Sequence, residues 1–256
     1  MSALGGDEQL RYARQMILPE IGAAGQVKLK AARVLIAGVG GLGCVAATYL
    51  AAAGVGSLTI VDHDVVAPEN LNRQILHHGA DIGTAKVDSA KRKLKALNPF
   101  CRIRTINQAL NPDNGIDLAG DALLIIDATD NITARKALNR AAIGLGIPLI
   151  YGGVNRFQGM VSTLIAGQTP CFECLFPRSR DRAEPVGVIG PAAGLVGAVQ
   201  SIEAIKFILG IHGLLTNRLL RIDGRNMTIK TIEIAKDPDC PACGASHCRP
   251  EGGRAI

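Results

Sequence analysis

The side chains best suited to chemistry are four of the seven cysteines and a few charged residues set near glycine. Cys171 and Cys174 in PCFECLFP, and Cys240 and Cys243 in DCPACG, form two CxxC pairs, each in a turn-rich stretch with proline nearby. Two such turns supply four thiolates, which suits a tetrahedral Zn2+ in a structural role. The competing reading is a redox dithiol, and neither pair opens a βαβ unit of the thioredoxin kind. His247 and Cys248 follow the second pair closely enough to substitute as a ligand, whereas Cys44 and Cys101 read as core residues.

A second group gathers around RVLIAGVGGLGC, residues 33–44. A short apolar run enters a turn in which Gly38, Gly40 and Gly43 match GxGxxG, and a helix-like stretch follows. Glycines there permit a tight turn, close approach to a phosphate, and helix N-terminal amides presented to negative charge. The next strand, SLTIVD, ends at Asp62, near the spacing at which a carboxylate grips a ribose hydroxyl. NAD and ATP fit this turn equally, and a turn made only for packing helix on sheet is the bland alternative.

Residues further on separate the two nucleotides. Asn70, Arg73, Gln74, Lys86 and Asp130 fall where the carboxyl side of a parallel sheet is expected. Two cations aimed at a glycine turn suit a triphosphate, and Asp130 suits Mg2+ held with phosphate oxygens. Singly, Arg73 reads as a surface cation, Lys86 as a helix-face charge and Asp130 as a cap before Thr133. No residue offers itself as the proton donor that a nicotinamide enzyme needs beside a carbonyl.

The elements that must position these groups alternate. A helix is expected from about Thr84 to Leu97, strands at 102–106 and 122–129, a helix at 133–146 and a strand at 148–153. That order predicts an α/β, Rossmann-like, doubly wound and mostly parallel sheet. Beyond residue 151 come a strand at 160–166, an apolar helix at 190–210 and a hairpin turning near Asp223 and Gly224. We therefore expect one domain over residues 1–256, with a nucleotide-binding half at 30–150 and a zinc-stapled, partner-binding half at 151–256. Gln200, Glu203 and Lys206 mark the apolar stretch as a buried helix and not a bilayer span.

Composition narrows the classes. In 256 residues, 28 Lys and Arg against 22 Asp and Glu leave a net charge of +6 without a dense basic run, so nucleic acid is a poor partner. The N-terminal MSALGGDEQLRYARQ lacks a signal-peptide pattern, and a cytoplasmic location is the expectation.

RYARQMILPEIGAAGQ, GVGGLG, VDHDVVAPENLNRQ, DATDN and both CxxC pairs, taken together, resemble the MoeB/ThiF/HesA adenylyltransferases, prokaryotic relatives of the ubiquitin-activating enzymes; the pattern lies closest to MoeB. The resemblance covers nearly the whole chain. It implies ATP-dependent adenylation of the C-terminal glycine of a small ubiquitin-like sulfur carrier ending in Gly-Gly, with pyrophosphate released, in molybdopterin, thiamine or related sulfur transfer. By motif, Gly41 lies against the phosphates, Asp62 holds the ribose, and Asn70, Arg73 and Lys86 contact the phosphates. Asp130 positions Mg2+, and Asn131 belongs to the same motif. Arg14 matches an arginine that acts in the other protomer of a homodimer, and Cys171, Cys174, Cys240 and Cys243 match the zinc ligands.

The chain departs from the family in two places. Gly83-Thr84-Ala85-Lys86 lacks the proline common before the lysine. Ala183 stands where many members have a cysteine, four residues before Gly187, which rules out a thioester or persulfide at that position and implies a separate sulfur donor. The competing functions are an NAD-linked oxidoreductase on the same fold and a zinc-bearing scaffold without catalysis.

Overall fold

A computed structural model describes residues 4–181 and 186–244; Ala183, His247 and Cys248 fall outside the described residues. Two helices, α1 (Gly6–Met16) and α2 (Gly22–Ala31), lead into β1 (Arg33–Ala37), α3 (Gly41–Ala52) and β2 (Ser57–Val61). The alternation continues through α4 (Lys86–Leu97), β3 (Arg102–Ile106), α5 (Gly115–Ala119), β4 (Leu124–Asp127), α6 (Ile132–Leu145) and β5 (Leu149–Asn155). The remainder is β6 (Gln158–Leu164), a single turn α7 (Phe172–Leu175), the long α8 (Gly190–Leu209), β7 (Arg218–Asp223) and β8 (Thr228–Glu233). The expected elements are present, with α4 beginning at Lys86 instead of Thr84.

Among the described residues all the strands join one sheet, in the order β3-β2-β1-β4-β5-β6-β7-β8. β1 through β5 pair in parallel, and β5 through β8 pair antiparallel. Strands buried on both faces explain the nearly continuous apolar runs. Period-two alternation sends Val34 and Ile36 of β1 into the core under α3, α4 and α8, and Leu35 and Ala37 into the core under α5, α6 and α7. Strand order reverses between β1 and β4, which opens a crevice at their carboxyl ends.

The glycine turn forms because two positions have no room for a side chain. Gly38 has φ of +87°, and a Cβ there would lie 2.7 Å from the Ala128 carbonyl oxygen. At Gly43 a Cβ would lie 1.9 Å from the Gly38 carbonyl oxygen, so only glycine lets α3 start against the turn.

By length and composition α8 is apolar enough to cross a membrane, yet half of its most apolar stretch is buried inside the fold. It packs on α3, β5 and β6. Its buried Glu203 accepts from the Thr163 hydroxyl at 2.6 Å and the Leu215 amide at 2.7 Å. Gln200 donates to the Asp127 and Ile150 carbonyls at 2.7 and 3.0 Å, linking the carboxyl end of β4 to the start of β5.

Candidate nucleotide site and cysteine cluster

A cleft of about 870 Å³ occupies the crevice. Gly38, Gly40 and Gly41 line one wall, together with Asp62 at the end of β2. Asp62 holds the turn in shape, its Oδ2 accepting from the Val39 amide at 2.8 Å and its Oδ1 from the Asp64 amide at 2.9 Å.

Arg73 and Lys86 reach the same cleft from different segments. Arg73 follows a short 3-10 turn at Pro68–Asn70, and its Nη1 donates to the Glu69 carbonyl at 2.8 Å and to Asn72 Oδ1 at 3.0 Å. Both acceptors are neutral, so its charge stays available. Lys86 opens α4 and is buried, with Nζ 2.7 Å from Asp64 Oδ2. Asn70 does not line the cleft. Its Oδ1 accepts from the Ala67 amide at 3.2 Å, closing the turn whose carbonyl then accepts the amides of Arg73 and Gln74.

Asp130 and Asn131 come from the loop between β4 and α6. Asn131 caps α6, its Oδ1 accepting from the Ala134 amide at 2.8 Å. Asp130 is exposed to the cleft and forms no ion pair among the described residues, which suits a carboxylate meant for a hydrated Mg2+. Arg14 is exposed on α1 and does not line the cleft of its own chain.

The folded chain adds residues that the motifs did not mark. Arg135 lies beside buried Asp127, with Nη1 4.0 Å from Oδ2, while Nη2 donates to the Thr129 carbonyl at 2.6 Å. Asp127 accepts from the Thr129 amide and hydroxyl; burial pushes its carboxyl above the ordinary range, and Arg135 opposes that shift. Arg135 also stands 5.1 Å over the Tyr151 ring, which packs against Phe172 and Phe176. Buried Gln74 also lines the cleft, its Nε2 beside Gly40 and its Oε1 buried without a hydrogen-bond partner among the described residues. Arg135, Arg178, Arg180 and Asp181 carried no signal beyond their charge, since each is read as part of the site only when distant loops meet, and Asp64 lay within a quoted motif without being given a role.

The four paired cysteines converge. Cys171 Sγ lies 3.8 Å from Cys174 Sγ and 3.6 Å from Cys240 Sγ, and Cys174 Sγ lies 3.4 Å from Cys243 Sγ. All four sulfurs fall within 4.8 Å of one another. Four thiolates about 2.3 Å from a tetrahedral Zn2+ sit about 3.8 Å apart, so the donor set and its spacing fit that ion. The cluster ties the C-terminal segment to α7, and Asn139 of α6 accepts the Phe172 amide at 2.9 Å to seat α7.

Fold and site together define a Rossmann-like α/β domain with a glycine-lined cleft and an appended cysteine cluster. The chain belongs to the ThiF family, whose model matches residues 12–242. It is 40% identical over 249 residues to the "Adenylyltransferase and sulfurtransferase MOCS3" of Culex quinquefasciatus, an alignment that covers 95% of this chain and 57% of that protein. The corresponding protein of Drosophila grimshawi is 42% identical over 247 residues, 94% of this chain and 55% of its own length. The chain thus spans a little over half the length of these relatives. Among solved structures, E. coli MccB with ATP superposes with a TM-score of 0.82 at 25% identity, covering 94% of this chain and 75% of the other.

Proposed function

We propose that this chain uses ATP to adenylate the C-terminal glycine of a small ubiquitin-like sulfur carrier, for molybdopterin, thiamine or a related sulfur-transfer route. The observation that carries the reading is the convergence of Arg73, Lys86 and Asp130 on the glycine turn in a single cleft. Family membership and the MOCS3 likeness support the same reaction class.

The chemistry is a displacement at the α-phosphorus. A carboxylate oxygen of the carrier bonds to phosphorus while the bond to the bridging oxygen breaks and pyrophosphate leaves. No general base is required, because a carboxylate is already ionised at neutral pH. The protein supplies orientation and charge compensation. In this reading Gly38, Gly40, Gly41 and Gly43 let the turn approach the phosphates, Asp62 takes the ribose, and Arg73 and Lys86 balance charge on the departing pyrophosphate. Asn70 contributes by setting the turn that carries Arg73. Asp130 and Asn131 would hold Mg2+, which draws electron density from the phosphates when bound. Cys171, Cys174, Cys240 and Cys243 would hold Zn2+ as a closed structural centre.

Arg14, outside its own cleft, belongs in this reading to the site of a second copy in a homodimer. The product is a carrier acyl-adenylate passed to a separate sulfur donor. Incubation with ATP labelled at the α-phosphate, Mg2+ and a Gly-Gly-terminated carrier is expected to label the carrier, and absence of label with every carrier captured from the native lysate contradicts the proposal.

A further inference from the structure

Residues 177–181, PRSRD, leave α7 and pass along the cleft. Both ends of this strap are tied. At one end the Ser179 amide and hydroxyl donate to the Phe176 carbonyl at 3.1 and 2.8 Å, and Phe176 itself packs against Tyr151 and Phe172. At the other end the Asp181 carboxylate accepts from the Thr133 hydroxyl at 2.6 Å, the Thr133 amide at 3.3 Å and the Ile132 amide. Those groups form the first turn of α6, where a carboxylate is favoured by the free amides. Bonding to Thr133 holds the Asp181 carboxyl below its ordinary range, as expected of a working acceptor.

Between the two ties, Arg178 and Arg180 line the cleft. Among the described residues, five cationic side chains of Lys or Arg line it, Arg73, Lys86, Arg135, Arg178 and Arg180. Lys86 is paired with Asp64, Arg135 lies against Asp127, and Arg73 stands at the glycine turn where phosphates belong. Arg178 and Arg180 form no ion pair among the described residues, and they lie on the wall made by α6 and α7. The cleft also carries Asp62, Asp64, Asp130 and Asp181. An incoming carboxylate must therefore approach a polyphosphate past several like charges, which opposes binding unless cations flank its path.

We infer that Arg178 and Arg180 receive the anionic end of the acyl substrate, its C-terminal carboxylate, and that Asp181 is the positioning residue that latches their strap to α6. The identity of that carboxylate rests on the adenylation reading; the tied strap and its two arginines do not. Guanidinium forks match a carboxylate in shape as well as charge. The same cations could serve a phosphate of the nucleotide, and the test separates these sources.

The probe is a short peptide ending in Gly-Gly, supplied as free acid and as C-terminal amide, titrated calorimetrically into the full chain saturated with a non-hydrolysable ATP analogue and Mg2+. Wild type is expected to bind the acid about tenfold or more tightly than the amide. Arg178→Ala combined with Arg180→Ala should abolish that preference while analogue affinity stays unchanged. Asp181→Ala should weaken the preference with both arginines present, and Asp181→Asn, whose amide oxygen still accepts from α6, should recover most of it. No acid preference in wild type, or its survival in the double variant, overturns the inference. A fall in analogue affinity instead assigns the arginines to the nucleotide, and an intact preference in Asp181→Ala overturns the latch. Preserved acid preference without pyrophosphate exchange would count against adenylation alone, so the two readings fail separately.

Discussion

Cys44 starts α3 beside the glycine turn, where a helix N-terminus could activate a thiol, yet its Sγ donates to the Val39 carbonyl at 3.1 Å and is buried. Burial pushes both Cys44 and Cys101 up to about 12, so neither supplies thiolate at neutral pH. With four thiols in the cysteine cluster, incubation with ATP, Mg2+ and carrier should give no reductant-sensitive conjugate on a denaturing gel. A conjugate that persists in Cys248→Ala contradicts this. A second residue-scale prediction concerns His77, which is buried with Nε2 3.0 Å from the Val39 carbonyl and Nδ1 2.9 Å from Ser89 Oγ. A neutral ring, donating at Nε2 and accepting at Nδ1, satisfies both. Burial lowers its pKa below the ordinary value, Lys93 and Lys86 add to that, and Asp81 and the Val39 carbonyl oppose it. The unfolded chain therefore takes the proton first, so this contribution to stability is complete above about pH 6.5 and declines as pH falls towards the lowered folded-state value. Chemical denaturation should show that loss as pH falls below about 6.5, and His77→Gln, which keeps a donor and cannot titrate, should flatten it.

Among the elements, α7 is too short to stand alone, and its place depends on the cysteines at its ends and on Asn139 beneath it. Metal analysis of protein purified without chelator should find one zinc per chain, and Cys174→Ala should lose it and melt earlier. Normal melting in a metal-free Cys174→Ala protein would show that the cluster does not staple the segment. The central strands were readable because burial on both faces leaves runs such as VLIA at 34–37 and LII at 124–126 unmixed with charge. α1 and α2 were not, since α1 buries only Glu8 and Tyr12 and α2 begins at glycine, which leaves little apolar periodicity to see. The glycine turn, Asp62, Arg73, Lys86 and Asp130 were legible as a set because their spacing is local to strand ends. Asp127 with Arg135, and Asp181 with Thr133, meet across a loop or between remote segments, and a charge in a loop reads as solvated until the fold closes over it.

For the whole molecule, one continuous sheet carries both the cleft and the cysteine centre, yet Arg14 does not line the cleft of its own chain. If the active form is a homodimer with Arg14 acting across the interface, mixing inactive Arg14→Ala with inactive Asp130→Ala should restore part of the activity in hybrid dimers. No recovery after demonstrated subunit exchange would place Arg14 outside the partner's site. The most direct test of the adenylation account is exchange of labelled pyrophosphate into ATP in the presence of Mg2+ and a carrier. The account predicts exchange that requires the carrier's intact Gly-Gly terminus and falls about a hundredfold or more in both Arg73→Ala and Lys86→Ala; near-normal exchange in both variants, or exchange indifferent to the carrier's terminus, would contradict it.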